Sequence, residues 1–193
     1  MPEENKIYAF IDSQNLNLSI EKLGWRLDFN RFRKFLKDKY GVKKAFLFMG
    51  YVSGNEALYT AMQEKGYIVV FKPTLENDGI IKGNCDAELV LHCMIEYKNF
   101  SQAIIVSGDG DFHCLIEYLE SKKKLLKVGI PNRNRYSSLL KKFRSPYFFY
   151  VSDLRSKLEF KKRGRGVKGQ NPIPVLHHRD GSSIEKMLNV VNN

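Results

Sequence analysis

Ala103-Ile104-Ile105-Val106-Ser107-Gly108-Asp109-Gly110-Asp111-Phe112 is the stretch that decides how this chain folds. A short, wholly apolar run reads as a parallel strand covered on both faces. Here the run opens into a serine, two glycines and two aspartates. Residues 7–11 have the same build: an apolar strand that stops on Asp12 and passes at once into Ser13, Gln14 and Asn15. In an open parallel sheet, functional groups gather outside the carboxyl ends of the strands. If these two strands are neighbours at a switch point, Asp12 and Asp109 face each other across a crevice. Gly108 and Gly110 are expected to allow the tight backbone path that brings Asp109 and Asp111 to one cleft. Asp86 opens a further helix after Lys82-Gly83-Asn84-Cys85, with Glu88 close behind. Carboxylates collected on one edge repel one another unless something cationic sits between them. A hard divalent ion, Mg²⁺ or Mn²⁺, is the simplest candidate.

Working outward, strand and helix signals alternate. Further strands are expected at 45–49, 67–71, 125–130 and 147–151. Helices are expected at 30–40, 55–65, 86–97, 111–121 and 137–143, each with apolar residues at helical spacing. This rhythm predicts an α/β fold with a mainly parallel sheet and helices on both faces. Beyond Phe160 the composition shifts to Lys161-Lys162-Arg163-Gly164-Arg165-Gly166 and then Asn171-Pro172-Ile173-Pro174, the character of a linker. The expected organisation is therefore a domain over 1–158 and a basic tail over 159–193. Ser182 and Glu185 have capping-box spacing, which predicts a short closing helix.

The 193 residues carry a formal net charge of +11, unevenly placed. Residues 122–168 balance to +14 and the remainder to −3. Such asymmetry points to a polyanionic partner, nucleic acid before others. The competing reading is a solvated face with a soluble tail. No apolar run is long enough to span a membrane, so no membrane partner is expected. The N-terminus is polar and acidic, unlike a signal peptide. The three cysteines, Cys85, Cys93 and Cys114, form no CxxC pair and fit reduced thiols in the cytoplasm.

Each acid also has a plainer reading. Asp86 and Asp111 suit helix starts, and Asp12 suits a strand end. Set on one edge from separate segments, they weigh more together than singly. Asn15 and Gln14 are placed to orient water or phosphate, or to cap the next helix. Ser137 and Ser138, after the basic loop holding Arg133 and Arg135, are placed as an anion site or as a serine cap. The aromatics Tyr136, Phe143 and Tyr147 among these charges read as base-stacking candidates or as core, with core favoured for the latter two.

Phe10-Ile11-Asp12-Ser13-Gln14-Asn15 resembles the "FIDxxN" opening of NYN domains. Lys82-Gly83-Asn84-Cys85-Asp86 resembles their "KGxD" segment, and Ser107-Gly108-Asp109-Gly110-Asp111-Phe112 their "SGDxDF" signature. The three motifs occur in order across about residues 6–157, and the whole resembles the LabA/DUF88 branch. The resemblance implies a PIN-like Rossmannoid fold, a three-layer sandwich, and a ribonuclease-type site using Mg²⁺ or Mn²⁺. Carried over, the catalytic and metal-holding residues are Asp12, Asp86, Asp109 and Asp111, supported by Asn15, Glu88 and Ser107. Lys82, Arg133, Arg135, Ser137, Ser138, Arg163 and Arg165 are the expected contacts to single-stranded RNA. A homodimer is a further expected partner state, with the closing helix as one means of contact. One departure stands out: many members carry an aspartate about where His92 falls here, and Glu88 is the nearest substitute. The alternative function is a non-catalytic RNA-binding module on the same fold. A haloacid-dehalogenase-like phosphatase is disfavoured, because it wants an acid two residues after Asp12, where this chain has Gln14.

Overall fold

Alternation within the first strand sets the layers. Ile7, Ala9 and Ile11 point to one core and Tyr8 and Phe10 to the other, and all five are buried. A strand buried on both faces needs helices on both sides. The computed structural model describes residues 5–72, 75–77, 80–82, 85–143 and 145–161. In chain order these form β1 (Ile7–Asp12), α1 (Ser13–Glu21), α2 (Phe29–Tyr40), β2 (Val42–Gly50), α3 (Glu56–Glu64) and β3 (Ile68–Lys72). Then come β4 (Leu75–Asn77), β5 (Ile80–Lys82), α4 (Asp86–Ile95), β6 (Gln102–Val106), α5 (His113–Ser121) and β7 (Leu125–Ile130). β8 (Phe148–Tyr150) and α6 (Arg155–Leu158) follow, with 3-10 turns between several elements. Among the described residues no helix is long and apolar enough to cross a membrane.

The main sheet is six-stranded, in the order β3-β2-β1-β6-β7-β8, and every neighbouring pair is parallel. β1 lies between β2 and β6. The chain therefore winds one way from β1 to β3 and the other way from β6 to β8. The reversal falls between β1 and β6, where an open α/β sheet leaves its crevice. One core joins Ile11, Leu16, Ile20, Phe32, Leu36, Leu47 and Met62, from β1, β2 and α1 to α3. The other joins Phe10, Phe48, Leu89, Cys93, Leu115, Ile116 and Leu119, from the opposite sheet face with α4 and α5. Phe10 stacks on Phe46 with ring centroids 5.2 Å apart, and Phe100 meets Phe10 edge-on at 5.7 Å.

The α/β architecture matches the sequence expectation, with several local differences, the β4–β5 pair and α6 among them. α1 was not foreseen: Ser and Asn are weak helix formers, and the apolar signal on its buried face reduces to Leu16 and Ile20 one turn apart. The helix expected from 111 begins as a 3-10 turn over Gly110–Phe112, and α5 starts at His113. The helix expected over 137–143 is replaced by a 3-10 turn, Leu140–Lys142. The segment closes i→i+3 bonds instead, Leu140 N–H to the Ser137 carbonyl and Phe143 N–H to the Leu140 carbonyl, both at 3.2 Å, and the Ser137 N–H donates to the Gly108 carbonyl at 3.0 Å, which ties the loop to the end of β6. β4 and β5 pair antiparallel outside the main sheet. The Asp78-Gly79 dipeptide between them is the sequence signal for such a pair. The expected closing helix at 182–188 lies outside the described residues.

Gly129 of β7 faces Phe149 of β8 in register. A Cβ at Gly129 would lie 2.5 Å from the tip of the Phe149 ring, so the ring fills the space a side chain would take. Phe149 also packs on Phe35 and Tyr40, at 5.8 and 5.5 Å. Gly129→Ala is expected to lower unfolding stability by about 1–3 kcal/mol through overpacking. Urea denaturation checks this. Adding Phe149→Leu should cost less than the two single losses together, because the sites touch.

Candidate active site

The ends of β1 and β6 are joined by side chains. Asp12 closes β1 and caps α1, its Oδ1 accepting from the Asn15 N–H at 3.0 Å. Its Oδ2 accepts from the Ser107 hydroxyl at 3.1 Å. Ser107 is buried, and the same Oγ accepts from the Asp109 N–H at 3.1 Å. One hydroxyl thus orients the carboxylate of one strand end and the backbone of the other. Asn15 Oδ1 accepts from the Gly108 N–H at 2.9 Å, a second tie across the same gap. Asp109 Oδ1 accepts from the Asp111 N–H at 3.1 Å, which shapes the 3-10 turn carrying Asp111.

The third wall is the start of α4, anchored to the core by Leu89 and Cys93. It delivers Asp86. One carboxylate oxygen each from Asp86, Asp109 and Asp111 lies within 4.8 Å of the others. Asp86 and Asp109 are half-buried and Asp111 is exposed, so the cluster opens to solvent on one side. Asp12 feels the same charges. Its pKa is raised from 3.8 to about 6, chiefly by burial and also by the Asp86 and Asp109 carboxylates, against the opposing hydrogen bonds from Asn15 and Ser107. Oxygens bound to one Mg²⁺ or Ca²⁺ lie up to about 4–5 Å apart. The all-oxygen donor set and its spacing therefore fit a hard divalent cation. Burial pushes the neighbouring Cys85 thiol up to about 12, and its sulfur is not part of the group.

The remaining expected residues have other partners. Glu88 Oε2 lies 3.7 Å from Lys72 Nζ rather than in the Asp86–Asp109–Asp111 group. His92 Nδ1 meets the Glu88 carbonyl at 3.2 Å, and its ring packs edge-on to Phe48 at 5.7 Å. The second turn of α4 is therefore a packing surface. Arg133 is held by Asp153 at 2.7 Å and lies 4.4 Å over the Tyr150 ring. Arg135 and Ser138 are exposed and Ser137 is half-buried, its Oγ accepting from the Leu139 N–H at 3.3 Å. The Lys82 side chain, Arg163 and Arg165 lie outside the described residues.

Sequence reasoning understated the loop after β7. Gly108 and Gly110 do not take positive φ. They provide room instead. A Cβ on Gly110 would lie 2.3 Å from Ser137 Oγ, and one on Gly108 3.4 Å from Tyr136 Cβ. The loop holding Tyr136 and Ser137 thus presses on the loop that carries the acids. The alternation of glycine with aspartate was the available signal, but it does not name the segment that fills the space.

Residues 6–151 match the NYN domain family. The chain belongs to that family. Within it the chain is LabA-like: it is 24% identical over 135 residues to the low amplitude and bright protein LabA of Synechococcus elongatus, covering 64% of this chain and 73% of that protein. The crystal structure of VPA0982, a protein of unknown function from Vibrio parahaemolyticus, superposes with a TM-score of 0.67 at 23% identity. It covers 83% of this chain and all of its own. At that identity the likeness shows the fold. An NYN domain has a PIN-like nuclease fold, and this one presents a carboxylate cluster at the expected edge.

The raised pKa of Asp12 carries a sign for this NYN domain. Between pH 4 and 6 the folded state holds a proton that the unfolded chain has released, so stability falls as pH rises through that window and levels off above it. In EDTA, Asp12→Asn is expected to remove that slope and to stabilise the protein at pH 7 by about 1–3 kcal/mol. Urea unfolding across pH 4–8 checks both. Ser107→Ala deletes a hydrogen bond to the charged form, so the Asp12 carboxyl ¹³C titration should move to higher pH.

Proposed function

We propose that this NYN domain is a metal-dependent ribonuclease that hydrolyses phosphodiester bonds in single-stranded RNA. The observation that carries the reading is the meeting of Asp86, Asp109 and Asp111, from two separate segments, within 4.8 Å at the switch point of a parallel sheet. Asp86, Asp109 and Asp111 would hold Mg²⁺ or Mn²⁺. Bound there, such an ion supplies charge neutralisation and Lewis-acid polarisation of a phosphoryl oxygen. Asp12 adds a fourth carboxylate beside Asp86 and Asp109, ionised at neutral pH and oriented by Ser107 and Asn15. Its two oxygens each accept one hydrogen bond and retain lone-pair capacity toward a cation. Asp111, the exposed member, is placed to meet incoming RNA or to align water. The exposed Arg135, Lys141 and Lys142, with the basic residues of the tail, would follow the phosphate backbone. The free thiols of Cys85, Cys93 and Cys114 support a cytoplasmic setting.

A second reading has one observation in its favour. Past Asp86, α4 offers His92 and a Glu88 paired with Lys72, and no further acid enters the cluster from that helix. A domain that binds RNA without turnover would tolerate this.

Full-length protein incubated with end-labelled single-stranded RNA and Mn²⁺ separates the two. Cleavage is expected for the wild type, and Asp109→Asn should slow it more than about 100-fold, beyond the usual cost of disturbing a residue that merely supports a metal ligand. Equal cleavage by both proteins excludes the assignment. Salt-sensitive binding with no turnover under either metal establishes the non-catalytic reading.

A further inference from the structure

Next to the loop that carries the acids, the outer end of the sheet has three aromatic rings that pack on the core with one side and stay partly exposed. Phe148 and Tyr150 lie two residues apart on β8, the edge strand, and so project to the same side. Tyr136 comes over from the loop after β7. The ring centroids are 6.2 Å apart for Tyr136–Phe148 and 6.3 Å for both Tyr136–Tyr150 and Phe148–Tyr150. All three are half-buried. Cations lie over two of them: Arg133 Cζ 4.4 Å from the Tyr150 centroid and Lys141 Nζ 5.5 Å from that of Tyr136. Asp153 holds the Arg133 guanidinium in place, yet the Arg133 side chain is 58% exposed. Burial, and after it the neighbouring Tyr150 hydroxyl, hold the Tyr136 hydroxyl above its ordinary pKa.

The position of this ledge gives it meaning. The Ser137 N–H bonds the Gly108 carbonyl at 3.0 Å, and Gly108 abuts Tyr136 Cβ. Asp109 is the next residue. The first ring of the ledge is thus built against the loop that presents the carboxylates. Rings alternating with exposed cations suit a strand whose bases stack while its phosphates follow the charge. A duplex hides its base faces, so the ledge favours unpaired nucleotides.

We infer that Tyr136, Phe148 and Tyr150, flanked by Arg133 and Lys141, form a stacking platform for an unpaired base of single-stranded RNA next to the scissile phosphate. This rests on the ribonucleic-acid reading of the acid cluster. Tyr136 is the residue that sets the register between platform and cluster.

The test uses full-length protein carrying Asp109→Asn, so that RNA survives, and fluorescence anisotropy with a fluorescein-labelled single-stranded oligoribonucleotide. Adding Tyr136→Leu should weaken binding about tenfold, the scale of losing one base stack. Tyr136→Phe should retain affinity within about twofold, because the ring face remains. A duplex of the same sequence should bind both proteins alike. In a series of oligonucleotides each lacking one base, one abasic position should cost the Asp109→Asn protein about tenfold and cost the Tyr136→Leu protein almost nothing further. Unchanged binding on Tyr136→Leu, or no abasic position that matters, overturns the platform. The abasic series on the Asp109→Asn protein reads out even where Tyr136→Leu melts early. Failure of that protein to bind single-stranded RNA at all overturns the proposed function as well, which distinguishes the two losses.

Discussion

Side-by-side parallel pairing of β1 and β6 is the constraint on which the site depends. Register places Ile11 opposite Val106, so Asp12 and Ser107 emerge together at the carboxyl edge. Hydrogen bonds then lock what register brings close. Ser107 spans Asp12 and the Asp109 backbone, and Asn15 holds Gly108. On the other side of β1, the Ser13 hydroxyl donates to the Phe48 carbonyl at 2.6 Å, tying in the end of β2. Three strand ends are thereby fixed relative to one another before any ligand arrives. A preorganised edge of this kind lets carboxylates keep their positions against mutual repulsion.

That repulsion is the second theme. Asp12 is pushed well above the usual carboxylate range, chiefly by burial and then by Asp86 and Asp109. Without a cation the cluster destabilises the folded chain at neutral pH. The core on both sheet faces must offset it, and the aromatic packing of Phe10, Phe46 and Phe100 within the sheet's second core contributes to that. Carboxylates crowded together at a strand-end crevice are the electrostatic pattern of a functional site.

Much of this architecture was legible in the sequence. Runs such as 7–11 and 103–106 announce buried strands because side-chain burial is local to each strand. Acids placed just past those runs reveal the edge where the carboxylates gather, because the carboxyl ends of parallel strands share one side. Less legible were the elements whose form depends on a distant partner. Residues 137–143 have helical spacing, yet the segment closes i→i+3 bonds into a short 3-10 turn and is tied to Gly108 through the Ser137 N–H. α1 carries weak helix formers, yet Asp12 caps it and Leu16 and Ile20 bury its inner face.

By itself the sequence determined the alternation of strands and helices, the α/β class, the acids at strand ends and the concentration of positive charge toward the C-terminal side. These follow from period, propensity and composition, which need no knowledge of neighbours. Only the tertiary structure decided which partners these side chains find. Glu88 pairs with Lys72 from β3 and His92 packs on Phe48, so neither joins the acid cluster, while Asp153 holds Arg133 over the Tyr150 ring. It also decided that Gly108 and Gly110 serve close approach by Tyr136 and Ser137 rather than unusual backbone angles. The physical reason is the same throughout. Partnership depends on sheet order, and sheet order brings together residues far apart in the chain.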